Sequence, residues 1–308
     1  DCLLSRGLGD VYKRQLIMCG MAAGFSALFG TPAAAAVFAI EVTVVGIAHY
    51  SAIVPCLLSS LTAAMVADWF HVKPTSFLVR YIPEFHADSY FMLARTIIMG
   101  IAGAIVSIVF CKIMSKTAEL YKKYIKNPYL RILAGGAIVA AISMLIYALT
   151  GSFDYNGAGT DIIKKAFIGQ SRPEAFILKM LLTALTLGCG FKGGEIVPSL
   201  YIGATFGCFF GGLLGLSHSF GAAVGLAAVF CGVTNCPFAT LLLTIELFGA
   251  DGLPYYALVI GISYMLSGYT GLYSAQKFYD NKFIHRRFRH LKTYKEIKTD
   301  SAANNGKD

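Results

Sequence analysis

The residue types best suited to chemistry cluster in one glycine-rich stretch, GCGFKGGEIVP, between Gly188 and Pro198. Its glycines, Gly190 and Gly194 among them, let backbone approach an ion closely and permit positive φ. Pro198 is placed to open a helix over residues 199–216, because proline suits a first helical turn. The N–H groups of Glu195, Ile196 and Val197 would then stand at a helix N-terminus with no partner inside the helix. Such a terminus favours an anion by geometry and by dipole. The competing reading is a packing break, where small residues let two helices approach.

Two further carboxylates, Glu41 and Glu246, end apolar runs that repeat one another. Residues 20–42 read GMAAGFSALFGTPAAAAVFAIEV and residues 225–247 read GLAAVFCGVTNCPFATLLLTIEL, with 8 of 23 positions identical at an offset of 205. Composition alone would match Ala, Leu and Val by chance, but not Gly, Phe, Pro and an Ile-Glu pair in register. Each copy is a short apolar piece, a break at Pro32 or Pro237, and a second piece ending in glutamate. The prolines predict a stop of one half-helix and the start of the next. Intramembrane carboxylates suggest function by default. The symmetry of this pair argues instead for one structural task done twice, such as accepting backbone N–H bonds.

These pieces must sit in a membrane. The chain of 308 residues is 56% hydrophobic and 14% charged, against roughly 25% charged in soluble domains. Apolar runs at 51–70, 94–114, 132–150, 175–190, 201–216 and 253–268 approach or reach the span of a bilayer, about 20 residues. Two halves with matched broken helices mark repeat-built transporters, and non-helical backbone at membrane depth persists only inside protein or beside water. The predicted fold is an all-α integral membrane protein.

The net charge of +9 does not point to nucleic acid. The basic residues sit mostly between spans or at their edges: Lys112, Lys116, Lys122, Lys123, Lys126 and Arg131 in one cluster, and Lys277, Lys282, Arg286, Arg287, Arg289, Lys292, Lys295 and Lys298 in the other. The positive-inside rule places both in the cytoplasm and 71–93 on the opposite side. The eight cysteines are scattered without a CxxC pair, which reads as small buried hydrophobes rather than a disulfide framework or metal site. No cofactor is indicated. No HExxH, GxSxG or paired His/Asp set occupies a span, so an enzyme is not expected.

At this point a resemblance to the CLC chloride channel and proton-coupled antiporter family carries further. GGEIVPSLYIGATFG resembles the family's GxFxP region, the two broken repeats resemble its matched helix pairs, and GLYSA at 271–275 resembles its tyrosine-bearing motif. The resemblance implies a CLC-type inverted repeat with re-entrant helices. It implies a central anion held by the amides of Glu195 and Ile196 and by the hydroxyl of Tyr273. The position of the antiporters' internal proton glutamate is occupied by Val42, which resembles channel-type members, although some coupled members also lack that glutamate. Glu195 and the string GFKGGE resemble the fluoride/proton branch. Beside an anion, the Glu195 side chain must be protonated or displaced, since like charges repel.

The resemblance divides the chain as follows. Residues 1–15 (DCLLSRGLGDVYKRQ) fit no signal peptide and are expected to be non-native or disordered. Residues 16–70 are the remainder of a first repeat, 71–93 an extracytoplasmic linker, 94–282 the second repeat and last helix, and 283–308 a basic cytoplasmic tail. Subtracting 205 from Lys192 and Glu195 places the first-half partner of the glycine-rich loop before residue 1, so the first repeat is expected to be incomplete. The expected activity is chloride-type anion transport by a plasma-membrane homodimer embedded in lipid, as a channel or a proton-coupled antiporter. Fluoride/proton exchange is the alternative, and a non-transporting membrane scaffold is the alternative of another class.

Overall fold

The computed structural model describes residues 2–47, 49–72, 77, 79–83, 90–273, 275–280, 282, 287–294 and 296–297, with side chains from Tyr12 onward except those of 280 and 287–292. In chain order the elements are α1 (Cys2–Phe29), α2 (Pro32–Glu41), β1 (Val44–Val45), a 3₁₀ turn (Tyr50–Ala52), α3 (Ile53–Trp69), α4 (Tyr90–Tyr124), α5 (Pro128–Thr150), α6 (Thr160–Phe167), α7 (Ala175–Gly188), α8 (Ile196–Leu213), α9 (His218–Thr234), α10 (Pro237–Phe248), α11 (Leu253–Leu266), β2 (Lys277–Asp280) and β3 (Arg287–Thr293). Four helical stretches, Tyr50–Trp69, Tyr90–Tyr124, Pro128–Thr150 and Ile196–Leu213, are long and apolar enough to cross a membrane. The contacts divide the chain into two units.

The first unit takes in residues 1–78, 235–253 and 273–308. Here α1, α2 and α3 pack together and α10 packs on α2. The core gathers Met18, Ala22, Ala36, Ala39, Ile40 and Cys56, and Phe25 stacks on Phe38 with ring centroids 5.2 Å apart. A small sheet in the order β1-β2-β3 completes the unit, with β1 parallel to β2 and β3 antiparallel to it.

The second unit takes in residues 79–234 and 254–272. Its centre is α9, in which every residue from Ser219 to Thr234 is buried. A helix apolar all round is one surrounded by protein or lipid. On one side α8 presses glycines onto it. A Cβ on Gly203 would stand 2.7 Å from the Leu226 Cα, and one on Gly211 2.8 Å from the Gly221 Cα, so only hydrogen fits. Close approach of this kind lets membrane helices gain van der Waals contact that lipid cannot match. By contrast α5 buries only Gly135, Ser143 and Ile146, as a helix facing hydrocarbon would.

The all-α membrane fold stands as expected, and the structure differs from the sequence expectations in four details. Residues 2–15, expected to be non-native or disordered, are helical and continuous with α1. Helix α8 begins at Ile196 rather than at residue 199, so Pro198 is its third residue; its missing N–H falls among the unpaired N-terminal donors and breaks nothing. The span at 94–114 extends to Tyr90–Tyr124, taking Lys112, Lys116, Lys122 and Lys123 into the helix, as expected of good helix formers. The all-α chain carries the small sheet, and β3 lies within the segment assigned to the tail. Much of the 71–93 linker and of the 283–308 tail, including Arg286, Lys295 and Lys298, lies outside the described residues.

Candidate functional site

The break between α7 and α8 is built from local rules. Helix α7 ends at Gly188, the Cys189 N–H donates to the Leu185 carbonyl at 3.3 Å, and Gly190 turns the chain at φ +116. A side chain is strained at that φ, which is why glycine stands there. Arg131 of α5 donates from Nε to the Cys189 carbonyl at 3.1 Å, placing a cation against the negative end of α7. The sequence reading took Arg131 only as part of a basic loop. Gly135, one turn on, touches Cys189 so closely that a Cβ would overlap it.

Glu195 is the N-cap of α8, with φ −96 and ψ −17, and its side chain makes no capping bond. The first N–H to bond backward across this end is that of Ser199, to the Glu195 carbonyl at 3.2 Å. The N–H groups of Glu195, Ile196 and Val197 therefore meet no acceptor among the described residues. Residues Glu195 to Pro198 are half-buried and Gly194 is exposed. Three donors on a helix dipole, left open and with no side-chain cap, have the geometry that favours an anion. Tyr273 belongs to the first unit. It is half-buried between α11 and β2, and its carbonyl accepts from the Gln276 N–H at 3.0 Å.

The paired breaks obey the repeat in detail. Gly30 and Asn235, 205 apart, have φ of +67 and +58, and the caps that follow, Thr31 and Cys236, have φ/ψ of −122/75 and −119/78. The glutamates then cross over within the first unit. Glu41 accepts the N–H groups of Phe238 and Ala239 at 3.3 and 2.8 Å, and Glu246 accepts those of Ala33 and Ala34 at 3.0 and 2.8 Å. Each glutamate sits at the C-terminal end of its own helix and caps the N-terminus of the other. Such an arrangement requires α2 and α10 to run antiparallel, the relation an inverted repeat demands.

Val42 follows Glu41 and is buried. Its carbonyl accepts from Gln276 Nε2 at 3.0 Å, Gln276 Oε1 accepts from Asn235 Nδ2 at 3.2 Å, and Asn235 Oδ1 accepts from Lys282 Nζ at 2.5 Å. A polar chain thus joins Val42 to the break at Asn235 and to the basic cluster. No group of three or more His, Cys, Asp or Glu able to hold a metal occurs among the described residues.

Lys179 escaped the sequence reading. It stands in the apolar helix α7 and is only 3% exposed. Its ammonium donates to the carbonyls of Gly157 and Tyr155 at 2.5 and 3.2 Å and lies over the Tyr201 ring, 4.9 Å from its centroid. The signal available was a single lysine inside an otherwise uncharged run.

Apolar spans, matched broken helices capped across an antiparallel pair, and an open helix N-terminus define a polytopic membrane protein of the repeat-built transporter type. The model of the voltage gated chloride channel family matches residues 3–268, and the chain belongs to that family. It is 34% identical over 271 residues to the chloride/fluoride channel protein of Pseudomonas syringae pv. tomato, covering 86% of this chain and 58% of the relative. It is 24% identical over 269 residues to the H(+)/Cl(-) exchange transporter ClcA of Vibrio cholerae, covering 79% and 55%. The crystal structure of a CLC-type fluoride/proton antiporter superposes with a TM-score of 0.79 at 32% identity, over 86% of this chain and 65% of that one. A slow cyanobacterial Cl−/H+ antiporter matches at 20% identity with a TM-score of 0.67, over 82% and 61%, which shows the fold alone. The chain spans less than two thirds of the length of each of these relatives.

Proposed function

We propose that the protein moves a small halide across the membrane through a path that passes the N-terminus of α8, with proton exchange. The observation that carries this reading is the set of three unpaired N–H groups at Glu195, Ile196 and Val197. At membrane depth, where little water competes, these donors would gain strength. The family resemblance assigns Tyr273 a phenol donor role toward the transported ion, and Glu195 gives the proton a carrier at the α8 N-terminus. Nothing in this arrangement calls for a catalysed reaction, and the protein is read as a transporter, not an enzyme.

Fluoride is the favoured ion. The chloride/fluoride channel protein and the fluoride/proton antiporter match at 34% and 32% identity, against 24% and 20% for the two chloride exchangers. The exposed apolar residues of α3, among them Val54, Leu58, Leu61 and Met65, are read as one face of a homodimer, joined by faces from α11 and from the helices of Glu41 and Glu246. The dimer sits in the plasma membrane with the basic residues after Lys277 in the cytoplasm. Reconstitution of the complete protein in liposomes tests the reading: fluoride and chloride efflux are followed with ion-selective electrodes and the reversal potential is read under opposed anion and pH gradients. Fluoride efflux with a pH-dependent reversal potential is expected. A reversal potential that ignores pH defeats proton exchange, and absence of any halide efflux defeats transport.

A further inference from the structure

We propose that the cavity beside Lys179 is a second anion-binding site, one that recognises a hydrated halide through the lysine ammonium rather than through a helix end. The cavity has a volume of about 340 Å³ and lies between α5, α7 and the segment before α6. That leaves room for an ion and several waters.

The charge balance singles it out. Lys179 has three N–H donors and spends two on the Gly157 and Tyr155 carbonyls. The neighbouring acids are engaged elsewhere: Asp154 with Lys165 at 3.7 Å, and Glu174 with the Tyr155 hydroxyl at 3.3 Å. No carboxylate among the described residues stands within ion-pair distance of Lys179, and none lines the cavity. A buried cation without a counter-charge is held at a cost that a bound anion removes. The other polar groups on the wall suit an anion as well. The Thr183 hydroxyl makes no hydrogen bond among the described residues, and the Asn156 carbonyl oxygen already accepts from Ser143 at 3.2 Å, which turns the amide N–H donors of Asn156 outward from that bond. The same wall ends at Gly194 and Pro198, beside the first turn of α8. The site therefore adjoins the path of the proposed function. Its role as a station on that path rests on the transport reading; its binding of an anion does not.

Crystals of the complete protein soaked in sodium bromide provide the test, since bromide scatters anomalously. An anomalous peak is expected within hydrogen-bond reach of Lys179 Nζ, lost in Lys179→Met and kept in Lys179→Arg. If Lys179→Met does not fold, the pair Thr183→Val and Asn156→Leu removes two donors, leaves the lysine, and should lower the occupancy of that peak relative to one at the α8 N-terminus. Absence of bromide beside Lys179 in the unaltered protein, or an unchanged peak in the folded variants, overturns the proposal. Halide flux is read in parallel, where Lys179→Met should raise the anion concentration for half-maximal flux about tenfold or more. Bromide at Lys179 with no flux would sink the transport reading and leave this one standing.

Discussion

Glu41 and Glu246 cap one another's helices: the carboxylate of Glu41 closes the N-terminus of α10 at Phe238 and Ala239, and that of Glu246 closes α2 at Ala33 and Ala34. Each glutamate stands nine residues after the proline that opens its helix, at 41 against 32 and 246 against 237. Nine residues rise about 13.5 Å along a helix axis. That length lets each carboxylate meet the far end of an antiparallel partner with the same proline-to-glutamate spacing. The paired carboxylates thus replace capping side chains that Thr31 and Cys236 do not provide.

Replacing either glutamate by glutamine keeps the shape and one acceptor oxygen but removes the charge and the second acceptor. Each change should destabilise the protein by about 1–2 kcal/mol. The two effects should not add. Once one cap is lost, α2 and α10 loosen and the remaining cap contributes less, so the double variant should fall short of the sum by roughly 0.5 kcal/mol or more. Unfolding midpoints of the four proteins in a common detergent measure this. A double variant that matches the sum would show that the caps act independently.

Glu195 caps α8 by position alone, without a side-chain bond, and is half-buried. Its removal should therefore leave the fold intact. Under the proposed exchange mechanism, Glu195→Gln should still pass halide, and its reversal potential should become indifferent to pH. Unchanged coupling in this variant would assign the proton to another group.

The glycines of α8 and α9 make a sharper structural contrast. A Cβ on Gly225 would stand 2.7 Å from the Gly203 carbonyl oxygen, whereas Gly24 of α1 and Gly261 of α11 have nothing within 4 Å. Gly225→Val should force the helices apart and cost about 3 kcal/mol or more. Gly261→Ala and Gly24→Ala should be neutral or stabilising by up to about 1 kcal/mol. Thermal unfolding of the three variants checks the order, and a harmless Gly225→Val would contradict the packing.

The broken repeats were legible because Pro and Glu are costly in an apolar run and so carry signal wherever they recur in register. The glutamates' structural task followed from that same symmetry, and the hydrogen bonds bear it out. The start of α8 was read three residues late because Pro198 invites a first-position assignment, while the helix tolerates it at its third. Lys179 was missed because one lysine hardly alters the hydropathy of α7. Its burial depends on Tyr155, Gly157 and Tyr201, which lie 22 to 24 residues away in sequence. The sheet was missed for a related reason. Two residues of β1 pair with a strand that begins at Lys277, and no local pattern announces a pairing across that separation.

The polar chain from Val42 to Lys282 passes through the Gln276 side chain, which is 4% exposed. Gln276 donates to the Val42 carbonyl and accepts from Asn235, so it holds the end of α2 against the break before α10. Gln276→Leu keeps the volume but ends both bonds, and should cost about 1–3 kcal/mol. Asn235 is held at φ +58, a region asparagine tolerates and β-branched residues do not. Asn235→Gly should accordingly cost less than Asn235→Val, even though glycine loses the same side-chain bonds. Unfolding midpoints rank the three. If valine proved as stable as glycine at this position, backbone conformation would not be what selects asparagine there, and its side-chain bonds, those to Gln276 and Lys282 among them, would have to account for it.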